Sequence, residues 1–262
     1  TLVRVVRLER TIYTSQMWRG TNSAITGYST AGIKAVCNRQ YSIIYFKNDC
    51  KYSIKYVKIF SPSIWRGDSH MRMRKKANLP ARMERCAAML ITDPASMRGR
   101  WRELFPEARE LRLEIGCGKG RFSAETAEQN PDVLYIALER VPDAMIIAME
   151  RCQAKGLTNI FFIDGDAALL RDYFAPGEAD LIYINFCDPW PGVKHARRRL
   201  THEQFLVLYR GILREGGEIH FKSDNHDLFE WSLFQFPKAG FALSQVTRDL
   251  HGQGIQGVMT DY

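Results

Sequence analysis

Acidic residues close several apolar runs in this chain, and their neighbours suggest what they could hold. Glu114 lies in Leu113-Glu114-Ile115-Gly116-Cys117-Gly118-Lys119-Gly120. Glycines two apart permit a tight turn with positive φ and let a ligand approach the backbone closely. A dinucleotide fingerprint would need glycine at position 121, where Arg121 stands, so that pattern fails. Glu-x-Gly-x-Gly-x-Gly suits S-adenosylmethionine (SAM), because the Glu114 carboxylate can face the methionine ammonium. An ordinary glycine-rich turn is the plainer alternative. Glu139 lies 19 residues beyond Gly120, the spacing at which a carboxylate accepts from both ribose hydroxyls of a nucleotide. It could instead cap a helix or pair with Arg140. Asp166 can accept from an adenine amino group or cap the helix that follows.

Two further acids sit in distinctive company. Asp188 heads Asp188-Pro189-Trp190-Pro191, a loop stiffened by prolines on either side of the tryptophan. There Trp190 can stack on a flat base while the acid holds the donor edge of that base. The alternative is a proline-rich turn with a packing Trp. Cys187 has no histidine at a pairing distance and reads as packing rather than as a nucleophile. The run Lys194 to Arg199 follows directly, placed to hold phosphates of a polyanionic substrate, although such runs are often only solvated surface. Asp224, in Lys222-Ser223-Asp224-Asn225, can complete a base pocket or cap a helix. His195 and His202 read as solvent-facing or capping, and no His/Cys/Asp/Glu cluster has metal-ligand spacing.

These residues need strands to deliver them. Alternating apolar and amphipathic stretches predict strands over 111–115, 133–138, 160–163, 180–186, 218–222 and 241–249. Helices are predicted over 122–129, 142–155, 167–173, 205–213 and 226–236. Two helices precede them, at 81–91 and 96–105, and Thr201-His202-Glu203-Gln204 reads as a capping box. Strands alternating with helices imply a parallel sheet covered on both faces, with ligands at the carboxyl ends of its strands.

Residues 1–70 differ from the rest. Ser, Tyr and Ile fill 22 of those 70 positions but only 22 of the following 192. All of the net charge of +8 lies there, and residues 71–262 balance. No clear helix or hairpin is expected. The segment is either a basic module that touches nucleic acid or upstream sequence foreign to the natural protein, and its composition favours the second. The division is therefore 1–70 as an atypical extension, 71–110 as a basic arm (Arg72 to Lys76) with a helical lead-in, and 111–262 as the catalytic domain. No apolar run reaches the roughly 18 residues of a membrane span. No stretch resembles a secretion leader, and the six cysteines form no C-x-x-C pair. A cytoplasmic protein with reduced thiols is expected, with no membrane partner.

Taken together, Glu-Ile-Gly-Cys-Gly-Lys-Gly, Asp-Pro-Trp-Pro, Arg-Arg-Arg-Leu-Thr and Lys-Ser-Asp-Asn resemble the bacterial tRNA (guanine-N7-)-methyltransferases over about residues 71–262. The resemblance implies the class I SAM-methyltransferase fold, a doubly wound α/β, mostly parallel, Rossmann-like sheet. It implies SAM as methyl donor, no metal, and tRNA as partner, methylated at guanine N7 at tRNA position 46 in the variable loop. By motif, Glu114, Gly116, Gly118, Glu139 and Asp166 would bind SAM, and Asp188 would be the active-site acid. Asp188, Trp190, Lys194, Arg197, Arg198, Asp224 and Thr260 would meet the substrate. In this chain Gly192 replaces a frequent lysine of the family, and Lys194 is the nearest cation. The late Thr-x-Tyr-Glu motif appears as Thr260-Asp261-Tyr262 without the Glu. The closing antiparallel strand of the family is expected to be missing, which would leave strand 241–249 without its neighbour and the chain poorly active. An amino methyltransferase would favour Asp/Asn-Pro-Pro-aromatic, where Trp190 now stands. A tRNA-binding module without catalysis is the alternative of a different class. A monomer and a homodimer both fit the sequence.

Overall fold

A computed structural model of the chain describes residues 77–248 and the strand segments 5–10, 28–29, 33–38, 41–48 and 51–57. It divides into a smaller unit, Thr14–Arg72, and a larger one, Thr1–Tyr13 with Met73–Tyr262. Strand β1 (Val5–Arg10) belongs to the larger unit.

The smaller unit is a four-stranded sheet of β2 (Tyr28–Ser29), β3 (Ile33–Asn38), β4 (Tyr41–Asn48) and β5 (Lys51–Val57), each antiparallel to the next. This corrects the expectation of no hairpin. Two residues separate β3 from β4 and β4 from β5, a hairpin spacing. The linkers Arg39-Gln40 and Asp49-Cys50 contain no glycine, so the usual turn signal is missing. The β-branched and aromatic residues on either side nevertheless favour strands.

In the larger unit, α1 (Leu79–Arg85) gives way to a 3-10 turn and the short β6 (Leu90–Ile91). The helix expected to reach position 91 therefore ends six residues earlier, because Leu90 and Ile91 pair with Phe162 and Ile163 at the sheet edge. The second expected helix shrinks to a 3-10 turn at Trp101–Leu104. The expected alternation follows: β7 (Glu110–Ile115), α2 (Arg121–Gln129), β8 (Val133–Glu139), α3 (Pro142–Ala154), β9 (Ile160–Asp164), α4 (Leu170–Tyr173), β10 (Ala179–Asn185), α5 (Glu203–Ile212), β11 (Leu213–Ser223), α6 (His226–Lys238) and β12 (Ala242–Thr247).

The sheet runs β12-β1-β11-β10-β7-β8-β9-β6, and every pairing in it is parallel. From β7 the chain winds outward through β8 and β9, then crosses back to β10 and β11. Strand order therefore reverses between β7 and β10, where an open α/β sheet forms its ligand crevice. The doubly wound class I (Rossmann-like) architecture is thus present. One expectation fails at the edge: β12 does have a neighbour. β1 lies between β11 and β12, with Val6 opposite Ile219 and Val5 opposite Ala242, so strand groups that would otherwise be exposed are paired.

Alternate residues of the strands feed two buried layers. On one face Tyr135, Ala137, Phe162 and Tyr183 pack with Phe122, Met145, Ala148 and Met149 of α2 and α3. On the other, Leu113, Ile136, Ile182, Ile219 and Phe221 pack with Leu206, Tyr209, Phe229 and Phe236 of α5 and α6. At the amino end of the central strands, buried Asp180 accepts from Leu111 N at 2.6 Å and from Arg102 and Arg214 at 2.9 and 2.6 Å. That clamp fixes β7 against β10 and so sets the height at which their other ends emerge. No helix among the described residues is long and apolar enough to cross a membrane.

Candidate active site

The five central strands point the same way, so the segments that leave them share one rim. In sheet order these are Asp224, the loop 186–191, the glycine turn 116–120, Glu139, and 164–166. Glu114, Gly116, Gly118, Glu139, Asp166, Asp188, Trp190 and Asp224 are all brought to this rim. Thr260 and the arm Arg72–Lys76 lie outside the described residues.

Glu114 is 2% exposed. It accepts from Ser123 Oγ at 2.5 Å, Tyr135 OH at 2.9 Å and Asn185 Nδ2 at 3.2 Å. Burial pushes its carboxyl above the usual range, against the pull of these three donors. The acid thus ties the end of β7 to α2, β8 and the end of β10. This is a bracing position, deeper than the expected contact with an ammonium group.

Asn185 stands out at the far side of that brace. It is buried, and its Oδ1 has no hydrogen-bond partner among the described residues. An ionised Glu114 only accepts, so the amide must turn its NH₂ toward the acid and its carbonyl away. A buried acceptor left unmet is costly in an empty protein. It is suited to a ligand that brings a donor.

The glycine turn supplies space. Gly116 and Gly118 have φ of +80° and +56°, and a Cβ on either would meet nothing within 4 Å. A ligand can therefore lie against the bare backbone there. Glu139 holds the turn in shape: it accepts from Gly118 N at 2.8 Å and from Arg140 N and Val141 N at 2.9 Å each. Three backbone donors occupy a carboxylate with about four acceptor sites, so room for a ribose hydroxyl is narrow. Half-exposed Asp166 accepts from Ala168 N at 2.9 Å, the capping geometry, with the Arg140 guanidinium 3.8 Å away. The residues at hand fit SAM: an orphan acceptor for its ammonium, an open glycine cradle, and acids along the strand ends for its nucleoside.

On the other side of the switch point Asp188 and Asp224 are exposed. Both lie near Cys187, whose thiol is pushed up to about 12, first by burial and then by these two carboxylates. A thiol so perturbed stays protonated, which agrees with its reading as packing. Phe186 and Trp190 adopt φ of +50° and +42°, unusual for residues with side chains. The Arg198 guanidinium lies 4.9 Å from the Trp190 ring centroid, and the His195 ring is 6.3 Å away. Lys194, Arg197 and Arg198 are exposed on or beside the 3-10 turn Val193–Arg198.

One cap differs from expectation. His202, not Thr201, caps α5, with Nδ1 accepting from Gln204 N at 3.2 Å. Thr201 is buried and bonds Ser232 at 2.7 Å instead. Asn225 caps α6, which leaves Asp224 outside that role. Sequence reasoning passed over Ser123, Tyr135 and Asn185, and it counted Arg199 only as one of the run of phosphate-holding cations. Only the position of Asn185 at a strand end, ahead of the Asp-Pro-Trp loop, could have flagged one of them.

A family profile described as a putative methyltransferase matches residues 108–262. The tRNA (guanine-N(7)-)-methyltransferase of Streptococcus suis is 42% identical over 193 residues, 73% of this chain and 91% of that protein. Its counterpart in Geobacillus kaustophilus is 43% identical over 193 residues, 73% of this chain and 89% of that protein. Among solved structures, the aminoglycoside resistance methyltransferase NpmB1 aligns loosely, with a TM-score of 0.40 and 22% identity over 60% of this chain and 74% of that one. On its sequence matches, this chain belongs to the tRNA (guanine-N(7)-)-methyltransferase family.

Proposed function

We propose that this protein transfers the methyl group of SAM to N7 of a guanine in tRNA, in the variable loop, to form 7-methylguanosine. When bound, SAM supplies an electrophilic methyl on a sulfonium: the N7 lone pair forms the new N–C bond as the C–S bond breaks, and the sulfur keeps that electron pair. Guanine N7 carries no hydrogen, so the protein needs no general base. Its work is to align the two partners and to set negative charge beside a ring that becomes cationic.

The chain's own residues divide along the switch point. Asn185 Oδ1 would accept from the methionine ammonium, with Glu114 holding the amide in that orientation. Gly116 and Gly118 would admit the donor, and Glu139 and Asp166 would border its nucleoside. Asp188 would accept from guanine N1–H or the 2-amino group, which orients the base and offsets its new charge, with Trp190 beside it and Asp224 closing the pocket. Lys194, Arg197 and Arg198 would hold tRNA phosphates. The observation that supports this reading most is the exposed acid at the head of a proline-stiffened loop, directly across the strand reversal from an open glycine cradle.

Unmodified tRNA incubated with the protein and SAM, then digested to nucleosides and weighed by mass spectrometry, tests it. 7-Methylguanosine is the expected product. Methylation confined to adenine or cytosine would refute the guanine assignment, and SAM binding without any methylated nucleoside would make the chain a binding module.

A further inference from the structure

The basic run after the Asp-Pro-Trp loop is not uniform. Lys194, Arg197 and Arg198 are exposed, but Arg199 turns back and is only partly exposed. Its Nε donates to Pro189 O at 3.0 Å and lies 3.4 Å from Trp190 O, and Nη2 donates to Trp190 O at 3.2 Å. Its guanidinium carbon lies 4.4 Å from the centroid of the Trp231 ring, on α6. Trp231 in turn stacks on His202, the cap of α5, with the rings 27° apart. Burial lowers the pKa of Arg199, partly offset by Asp227, the direction expected of a cation drawn out of water.

The loop needs such a partner. Pro189 and Pro191 have no N–H, so the backbone here cannot join a regular ladder. A residue before proline also disfavours helical conformations, yet Trp190, ahead of Pro191, sits at φ +42°. Conformations of this kind are costly and persist only when the surroundings over-determine them. Two consecutive carbonyls held by one planar fork, itself stacked on an aromatic ring of a neighbouring helix, do just that. Asp188 is two residues upstream of Trp190, so the strut also fixes where that carboxylate points.

We propose that Arg199 is a positioning residue for methyl transfer, holding the Asp188–Pro191 loop with Trp190 in its left-handed conformation, rather than one of the cations that grip tRNA. The inference rests on the guanine-N7 reading above and adds a role to it. It also separates Arg199 from its neighbours: removing a phosphate contact flattens the salt dependence of binding, whereas removing a strut misplaces the acid.

Arg199→Lys keeps the charge but cannot supply a planar fork. We expect its kcat to fall about tenfold or more, since small misplacements at reacting centres are costly. KM for SAM and for tRNA should stay within about threefold, and log Kd for tRNA against log salt should keep its parental slope. For Arg199→Ala the slope should also hold, whereas loss of a phosphate contact would lower it by about 0.7 to 0.9. Trp231→Leu, which removes the stacking ring and leaves the donors of Arg199 in place, should reproduce the kcat loss and keeps the test open if the Arg199 variants do not fold. Parental turnover in Arg199→Lys or in Trp231→Leu, or a reduced salt slope in Arg199→Ala, overturns the proposal. If the parent protein itself makes no 7-methylguanosine, it is the underlying reading of the site that fails, whatever these variants do.

Discussion

At the scale of single residues, two carboxylates with opposite environments do different work. Asp188 is exposed at the head of its loop, where a base could reach it. Asp188→Asn should cut turnover on the order of 100-fold, because a lost preorganised charge costs about that much. Equilibrium binding of SAM should stay within a few-fold. Retained turnover would show that the guanine is oriented by something else. Glu114 is buried, and its folded-state pKa is raised above the ordinary 4.5. The unfolded chain therefore releases this proton first as pH rises, so the folded state binds more protons and loses relative stability between 4.5 and the raised value. Glu114→Gln has no such proton. Whatever its constant offset, the stability of the variant relative to the parent should improve as pH climbs through that window and then level off. Urea unfolding at a series of pH values reads this directly, and a flat difference would mean that Glu114 ionises in the folded protein as readily as in the unfolded chain.

At the scale of elements, the glycine turn shows two demands on one residue type. A Cβ on Gly120 would stand 2.3 Å from Ala148 Cβ in α3, whereas one on Gly116 would meet nothing within 4 Å. Gly120→Ala should therefore destabilise by roughly 2–4 kcal/mol, overpacking added to left-handed strain. Gly116→Ala should cost only about 1 kcal/mol of strain yet weaken SAM binding more than tenfold, since its methyl would fill the cradle. Thermal melts paired with SAM calorimetry distinguish them; equal melting points would remove the packing argument for Gly120. Sequence alone revealed where these glycines fall and which strands feed them, because periodicity and chain order encode a parallel sheet. It could not reveal that Leu90-Ile91 abandons a helix for the sheet edge, since both outcomes suit an apolar pair. The cap at His202 was hidden for a similar reason: Thr201 has the better capping chemistry, and only the distant Ser232 diverts it. Likewise the Arg199 strut depends on Trp231, 32 positions away, and local spacing says nothing of such a partner.

At the scale of the whole molecule, charge decides how tRNA is met. Residues 71–262 carry no net charge, so this portion offers no bulk attraction to a polyanion. Many of its cations are also neutralised in place: Arg82 pairs with Glu150, Arg100 with Glu103, Arg102 and Arg214 with Asp180, Lys155 with Glu128, and Arg248 with Glu230. Lys194, Arg197 and Arg198 form no ion pair among the described residues, and they stand together beside the rim. Counterion release should therefore come disproportionately from these three. Their combined substitution by alanine should lower the slope of log Kd for tRNA against log salt by about 2 to 3, at 0.7 to 0.9 per phosphate contact. An equal number of substitutions among paired cations, Arg82, Arg100 and Arg248, should leave the slope within about half a unit, because each already has its counter-charge. The comparison holds total charge constant and varies only where it is removed. Equal slopes in the two triple variants would mean that tRNA senses the overall charge of the protein and that the cluster beside Trp190 has no special part in holding it.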